Sequence, residues 1–195
     1  LVEVRGLRGS VVKTVSTTRM IDRICKVYGL KVHETPVGFN HIADLMMKED
    51  VLIGGEESGG ISIRGHIPEG DGVLMGLLLL EIVAQAGAPL RELIADLQQT
   101  YGPYHYARKD LPLARPVAKK EMVARLTDGA PQSIDGAQVV EVRALDGVKY
   151  LMSDDSWLLI RPSGTEPVLR VYAESPTREM VDALLAYGQA VAAQA

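Results

Sequence analysis

The chain has 195 residues, 47% of them hydrophobic and 24% charged, which is enough for one large globular domain or two small ones. The formal net charge is −4 and the sequence has no basic block, so a nucleic acid partner is not expected. The longest apolar run, residues 73–86, is too short and too interrupted to span a bilayer, so a membrane partner is not expected either. The single Cys25 excludes a disulfide framework and is consistent with a cytoplasmic setting.

Strand-like and helix-like segments alternate over the first hundred residues. Gly29 ends the first helix, Asp71 caps a later one, and the run 73–86 is apolar on most faces, so we expect it to be a packed helix. This alternation predicts βαβ units in an α/β domain over residues 1–99, with a mixed, mostly parallel sheet. The predicted strands are 11–15, 30–34, 51–53 and 61–64, and the predicted helices are 20–28, 41–47, 73–86 and 90–98.

The composition changes near residue 100, where tyrosines lie among glycine and prolines in a segment that predicts a linker leading into an edge strand. The remaining segments are joined by short turns such as Asp146-Gly147, which favours an antiparallel sheet. We therefore predict a smaller α+β domain over residues 100–195 with helices on one face of the sheet. Its predicted strands are 138–145, 148–152, 157–160 and 169–173, a polar loop extends to Gly136, and its helices are 117–127 and 177–193.

A glycine-rich acidic turn, residues 54–60, follows the apolar strand 51–53. Parallel α/β sheets bind ligands at the carboxyl ends of their strands, and carboxylates and hydroxyls there accept and donate hydrogen bonds to a polyol such as a sugar. Glu56, Glu57 and Ser58 are the polar residues of this turn. An acidic surface turn without a ligand is the alternative interpretation.

The segment 161–167 joins two predicted strands and has the residue types of an anion site. Arg161 offers a planar set of donors, Ser163 and Thr165 offer hydroxyls, Gly164 allows close approach of the main chain, and Arg170 adds a second cation. Together they suit a phosphate monoester. The alternative is a hairpin in which Glu166 neutralises Arg161.

Both segments, in this order, resemble the α-D-phosphohexomutase superfamily of phosphoglucomutases and phosphomannomutases. The resemblance covers almost the whole chain and implies the third and fourth domains of that family. It rests on the Gly-Glu-Glu-Ser-Gly loop and the Arg-Pro-Ser-Gly-Thr-Glu-Pro loop, together with residues 35–39, 66–69 and 71–72 and the run 168–171 that follows the second loop.

The resemblance implies a role for each matching residue. Glu56 and Ser58 would bind sugar hydroxyls, with Glu57 at the variable position, and the second loop would hold the phosphate that does not react. The residues expected to hold that phosphate are Arg161, Ser163, Gly164, Thr165 and Arg170.

The family moves a phosphoryl group between positions 1 and 6 of a hexose through a bisphosphorylated intermediate. Its phosphoserine loop, Ser-His-Asn-Pro, and its magnesium loop, Asp-x-Asp-x-Asp-Arg, do not occur in this sequence. The resemblance therefore implies that Mg²⁺ and a hexose bisphosphate activator belong to the full-length enzyme, whose N-terminal domains would be partners of this chain. We expect no catalytic and no metal-binding residue in this chain, and since it begins with Leu1 we interpret it as a fragment or processed product.

Three positions depart from the family pattern. Gly70 stands where many members have a cation before Asp-Gly, Asn40 stands where a lysine is frequent, and Val37 replaces a hydroxyl residue found in some members. His41 and Arg64 are the candidates to compensate for the missing cations.

Two questions of function stay open at this stage. The Glu-Glu-Ser-Gly-Gly loop resembles glucose-type or dual-specificity members more than phosphoglucosamine mutases, but it does not decide among glucose, mannose and hexosamine. A standalone phosphosugar-binding or regulatory module is the alternative to a part of an enzyme. Oligomeric state and domain orientation do not follow from the sequence.

Overall fold

The computed structural model describes residues 1–113, 118–163 and 166–193. The chain divides into two compact units, Leu1–Gly102 and Pro103–Ala195.

The first unit is a four-stranded sheet with helices. Its strand order is β2-β1-β3-β4, in which β1 is parallel to β2 and β3, and β4 is antiparallel to β3. The predicted α/β domain with a mixed, mostly parallel sheet is thereby confirmed. The strands are β1 (Ser10–Thr14), β2 (Val32–Thr35), β3 (Val51–Gly55) and β4 (Ile61–Ile63), and the helices are α1 (Met20–Tyr28), α2 (Phe39–Lys48), α3 (Gly72–Ala86) and α4 (Leu90–Tyr101).

Helices α1 and α2 cover opposite faces of this sheet. Val12 packs with Ile42 of α2, whereas Lys13, the next residue of β1, is buried and forms an ion pair with Asp22 of α1. Successive residues of a strand point to opposite faces, so the two helices lie on different sides. The chain leaves β1 toward β2 on one side and returns to β3 on the other, which makes the carboxyl ends of β1 and β3 the topological switch point of the sheet.

Helix α3 has the predicted cap and end and begins one residue before the predicted start, but it is not packed. Asp71 caps it by accepting hydrogen bonds from the amides of Val73 and Leu74, as predicted. The prediction of a packed helix is wrong: none of its 15 residues, all of them described, is buried, and Leu77 and Leu80 are 61% and 67% exposed. An all-round apolar composition indicates a preference for burial but does not provide the surface that buries it.

No single helix in the described ranges is long and apolar enough to cross a membrane. Helices α3 and α4 pass a test of length and composition as a pair, but they are bent by 82° at their junction.

The second unit is an antiparallel sheet with two helices on one face. Its strand order is β5-β10-β9-β8-β7-β6, with β5 at an edge as predicted, and the α+β prediction is confirmed. Strand β6 lies where a polar loop was predicted, and residue 117, where the first helix was predicted to begin, is outside the described residues. The strands are β5 (His105–Pro112), β6 (Ser133–Ile134), β7 (Ala137–Arg143), β8 (Val148–Met152), β9 (Trp157–Pro162) and β10 (Val168–Ser175), and the helices are α5 (Lys119–Asp128) and α6 (Arg178–Ala193).

The core of this unit lies between the sheet and its helices. The residues that α5 and α6 bury there pack against alternate residues of the central strands, which all belong to one buried cluster. Examples are Met122 and Leu126 of α5, Leu184 and Leu185 of α6, Ile160 of β9 and Val171 of β10. Because alternate residues face the helices, the residues between them, including Arg161 and Arg170, face the other side of the sheet.

Candidate functional site

The acidic turn follows β3 at the carboxyl end of the parallel strands. The amide of Glu56 donates to the carbonyl of Gly60 at 2.9 Å and the amide of Gly59 donates to the carbonyl of Glu56 at 3.1 Å, which closes a tight hairpin before β4. Gly59 has a φ of 95°, a conformation that favours glycine. The glycines of this segment therefore shape a short, fixed turn at the edge where α/β sheets bind ligands.

Glu56 is positioned by the loop that follows β2. One of its carboxylate oxygens, Oε1, accepts a hydrogen bond from the amide of Gly38 at 2.9 Å. Gly38 is the N-cap of α2, so the carboxylate also lies at the positive end of that helix. This contact joins the loops after β2 and β3 and fixes the glutamate by one oxygen. It explains how the side chain is oriented, while the role of Glu56 toward a sugar stays a prediction.

Ser58 lies at the tip of the same turn and is exposed, whereas Glu56 is half-buried. The turn thus places one carboxylate and one hydroxyl two residues apart, the first oriented by main chain and the second open to solvent. Both are groups that bind hydroxyls of a polyol.

Gly70, where the family pattern has a cation, packs against this turn. A Cβ on Gly70 would lie 3.1 Å from Cα of Gly60 and 3.6 Å from Cδ2 of Phe39. The first distance is tighter than ordinary contact with a main-chain atom that has little room to move. The absence of a side chain at this position therefore fits the close approach of two glycine segments.

The proposed compensating residues lie in different places. Arg64 follows β4 and forms an ion pair with Asp50 at 2.6 Å, at the amino end of β3. Because the acidic turn is at the carboxyl end of β3, Arg64 does not compensate for Gly70. His41 lies in the first turn of α2, and its amide donates to the carbonyl of Gly38 at 3.1 Å, so it stays a candidate.

Asp71 has a structural role. Besides capping α3, it contacts Nε2 of His66 through Oδ2 at 2.9 Å. The amide of Leu74 and the ring of His66 hold the pKa of Asp71 below its ordinary value. The carboxylate is therefore charged at neutral pH and both of its oxygens have partners in the first unit.

The second candidate segment is the connection from β9 to β10 in the second unit. The amide of Ser163 donates to the carbonyl of Val168 at 2.9 Å, and Ser163 Oγ accepts from the amide of Glu166 at 3.3 Å. Gly164 and Thr165 lie outside the described residues. These two hydrogen bonds hold the described ends of the segment close together, beside two adjacent strands.

Arg161 and Arg170 lie directly opposite each other at the base of this turn. They are partners in the antiparallel register of β9 and β10, so their side chains are on the same face of the sheet. Like charges in such a pair are destabilising unless anionic groups lie near them. The structure therefore brings together the two arginines that the sequence separates by eight intervening residues.

Carboxylates contact both arginines, but not in the pairing of the alternative interpretation. Glu166 contacts Arg170 at 3.4 Å, and Arg161 instead donates from Nε to Oδ2 of Asp146 at 2.7 Å. The alternative in which Glu166 neutralises Arg161 is therefore wrong. Arg170 Nε is buried without a hydrogen-bond acceptor among the described residues, and Oδ2 of Asp110 is 3.8 Å from it.

Four charged residues of this region have no site role predicted from the sequence. Asp110 on β5 is opposite Arg170, and bidentate hydrogen bonds from Arg108 hold the pKa of Asp110 below its ordinary value. Asp146 and Lys119 form an ion pair at 2.5 Å. Of these residues, only Asp146 belongs to a motif visible in the sequence, the Asp146-Gly147 pair, and that motif predicts a turn and no more.

Within residues 1–113, 118–163 and 166–193, no three His, Cys, Asp or Glu side chains are grouped so that they could hold a metal ion. The described residues thus do not fit a magnesium site.

Two family models match this chain. The model of the phosphoglucomutase/phosphomannomutase alpha/beta/alpha domain III matches residues 2–101, and the model of the phosphoglucomutase/phosphomannomutase C-terminal domain matches residues 115–187.

Similar proteins bear two kinds of name. The chain is 32% identical over 187 residues to a phosphoglucosamine mutase of Limosilactobacillus fermentum, covering 96% of this chain and 37% of that protein. It is also 32% identical over 182 residues to a phosphoglucomutase/phosphomannomutase of Thermococcus kodakarensis, covering 92% and 37%.

A solved structure from Thermus thermophilus, provisionally named a phosphomannomutase, is similar with a TM-score of 0.77 and 35% identity. The similarity covers 96% of this chain and 37% of that one. The chain thus spans little more than a third of the length of these relatives.

Proposed function

Because the chain belongs to the phosphoglucomutase/phosphomannomutase family, we propose that it is the sugar- and phosphate-recognition part of a phosphohexomutase. In this proposal the enzyme interconverts hexose 1-phosphate and hexose 6-phosphate, of glucose or mannose, through a bisphosphate intermediate. The residues described above bind and orient the phosphosugar.

The observation that carries the proposal is the cross-strand pair of Arg161 and Arg170. Two guanidinium groups on one face of a sheet repel each other, and a phosphate dianion accepts hydrogen bonds from both. Asp146, Asp110 and Glu166 offset part of this charge, but with Lys119 and Arg108 the ion pairs among the described residues of this region join four cations to three carboxylates. The surplus is positive, as a phosphate site requires. Ser163, Gly164 and Thr165 complete the proposed loop.

The proposed sugar contacts are Glu56 and Ser58. A carboxylate that is held by one oxygen has its other oxygen and the remaining lone pairs as acceptors for hydroxyl groups. The hydroxyl of Ser58, two residues further along the turn, both donates and accepts. This pair suits a sugar ring with neighbouring hydroxyl groups, and in this proposal neither side chain contacts the phosphate.

We propose that this chain alone does not turn substrate over. Phosphoryl transfer needs a nucleophile and neutralisation of charge, and neither the phosphoserine loop nor the magnesium loop of the family occurs in this sequence. We propose that the full-length enzyme requires Mg²⁺ and a hexose bisphosphate activator and is cytoplasmic, and we do not assign these properties to this chain alone. Formation of glucose 6-phosphate from glucose 1-phosphate by this chain, with glucose 1,6-bisphosphate added, would contradict it.

Phosphate binding is tested by calorimetry with glucose 6-phosphate on single variants. Arg161→Ala and Arg170→Ala should each weaken binding about 5- to 150-fold, since each removes charge-assisted hydrogen bonds worth about 1 to 3 kcal/mol. The matched control is Arg178→Ala, an exposed arginine at the start of α6, beyond the other end of β10. Unchanged affinity in both loop variants, with the emission of buried Trp157 unaltered, would refute the proposed site.

A hexosamine phosphate is the second candidate substrate, because the identity to the phosphoglucosamine mutase equals that to the phosphoglucomutase/phosphomannomutase. Competition between glucose 6-phosphate and glucosamine 6-phosphate decides between them. A clear preference for glucosamine 6-phosphate would make hexosamine phosphate the leading substrate class, whereas a preference for glucose 6-phosphate would keep the hexose phosphates as the leading class.

A further inference from the structure

A buried carboxylate connects three separate segments of the second unit. Asp146 is 6% exposed, and each of its carboxylate oxygens has its own cationic partner. Oδ2 accepts from Nε of Arg161 at 2.7 Å, and Oδ1 accepts from Nζ of Lys119 at 2.5 Å. The three residues lie on the turn between β7 and β8, on β9, and at the first position of α5.

Gly147 allows this turn to lie directly on β9. Its φ is 87°, and a Cβ on it would lie 2.5 Å from the carbonyl oxygen of Ile160 and 2.9 Å from Cα of Arg161. No side chain fits at either distance, because both neighbours are main-chain atoms. The carboxylate of the preceding residue is therefore held close to Arg161 by the main chain itself.

The bond to Nε restricts the orientation of Arg161 without using its other donors. A guanidinium group has five N–H donors, and Nε carries one of them. The remaining four, on the two terminal nitrogens, have the planar geometry that binds phosphate oxygens in pairs. A partner at Nε thus fixes the plane of the group before a ligand binds.

Lys119 offsets the charge of Asp146. A carboxylate next to a phosphate site repels the ligand, and Asp146 alone would cancel the charge of Arg161. With Lys119 the three groups retain a net positive charge. Burial by itself would raise the pKa of Asp146, but the hydrogen bonds from Lys119 and Arg161 hold the pKa of Asp146 below its ordinary value, so it stays ionised at neutral pH.

We propose that Asp146 is a positioning residue for phosphate recognition, which orients Arg161 while Lys119 compensates for its negative charge. This inference rests on the proposed function, because it presupposes that Arg161 binds phosphate. It assigns a function to a carboxylate that, by charge alone, would oppose that binding.

The sign of the effect of Asp146→Ala separates positioning from simple electrostatics. Removing a negative charge near the site would tighten phosphate binding if only charge mattered. If Asp146 positions Arg161, the same variant weakens binding of glucose 6-phosphate about fivefold or more. In an Arg161→Ala background, Asp146→Ala should no longer weaken binding.

Calorimetry on four proteins, the native chain, Asp146→Ala, Arg161→Ala and the double variant, distinguishes failure of the proposed function from failure of this inference. If Arg161→Ala leaves affinity unchanged, this inference is overturned, and the proposed phosphate site is overturned with it only if Arg170→Ala also leaves affinity unchanged. If Arg161→Ala weakens binding but Asp146→Ala does not, or does so equally in both backgrounds, only the positioning role is overturned.

A second variant pair keeps the test informative if Asp146→Ala does not fold. Asp146→Asn keeps the shape of the side chain but replaces the charged acceptor of the Nε–H bond with a neutral amide, and Lys119→Gln removes the compensating charge while leaving the carboxylate. We expect the Nε–H proton signal of Arg161 in NMR spectra to be slowly exchanging in the native chain and in Lys119→Gln, and lost or strongly shifted in Asp146→Asn. An unchanged Arg161 signal in Asp146→Asn overturns the positioning role.

Discussion

Glu56 provides a test in which the stability of the first unit and the recognition of sugar are separated. Its carboxylate accepts the amide of Gly38, at the N-terminus of α2, at 2.9 Å. Glu56→Ala removes the charged, half-buried acceptor of this hydrogen bond. We expect the free energy of unfolding to fall by about 1 to 2 kcal/mol as a result. Glu56→Gln retains an oxygen acceptor and loses only the charge at the helix end, about 0.3 to 1 kcal/mol.

The stability assay must report on the first unit. Trp157, the single tryptophan, lies in the second unit, so its fluorescence does not follow the contact between Glu56 and Gly38. Urea unfolding followed by circular dichroism, together with amide hydrogen exchange of Gly38, measures the effect directly. Exchange at Gly38 should be faster in Glu56→Ala than in Glu56→Gln. Asp44→Asn, an exposed carboxylate on the same helix, is the control for loss of charge alone.

The binding assay compares two ligands on Glu56→Gln. Affinity for glucose 6-phosphate should fall about fivefold or more, because hydroxyl groups lose a charged acceptor. Affinity for inorganic phosphate should stay within about twofold, since that ligand has no sugar for Glu56 to contact. Equal losses for both ligands, or no loss for either in a folded variant, would refute the assignment of Glu56 to the sugar.

Three further predictions concern packing, pH and surface. Gly54→Ala should destabilise the first unit by about 1 to 3 kcal/mol in urea unfolding, because the added Cβ would lie 2.3 Å from Cγ2 of Ile42. Gly76→Ala, in a helix with open space around this position, should instead stabilise the first unit by about 0.5 to 1 kcal/mol. The lowered pKa of Asp146 means that its contribution to stability is present above its ordinary value of 3.8 and is lost as the pH falls through the lower folded value. Asp146→Asn should therefore flatten the fall of unfolding free energy on acidification, measured by Trp157 fluorescence, and an unchanged slope would contradict the ion pairs. Leu80→Gln should leave the unfolding free energy of this chain within about 0.5 kcal/mol, since Leu80 is 67% exposed, and a larger loss would show that α3 is packed in solution.

The secondary structure followed from local features of the sequence. Gly29, with a φ of 63°, ends α1, and Asp71 caps α3 by hydrogen bonds to amides two and three residues away. Such signals act within one turn of the chain, so they are visible in the sequence. The alternation of strand and helix likewise predicted the mixed sheet, and the short turns predicted the antiparallel one.

The burial of α3 was not predictable in the same way. Its composition is apolar on most faces, yet Leu77 and Leu80 are exposed in the structure. An apolar helix favours burial, but whether it is buried depends on which apolar surfaces the rest of the chain offers for packing.

The sequence by itself determined the two loops, their residue types and the strands that carry them. Only the tertiary structure decided how the charges pair. The register of β9 and β10 places Arg161 opposite Arg170, and Asp146 reaches Arg161 and Lys119 across 15 and 27 residues. Ion pairs at such separations depend on strand register and on the close approach of turns, which a local pattern does not encode. For this reason the alternative interpretation paired Arg161 with Glu166, its neighbour in sequence, whereas the partner observed is Asp146, its neighbour in space.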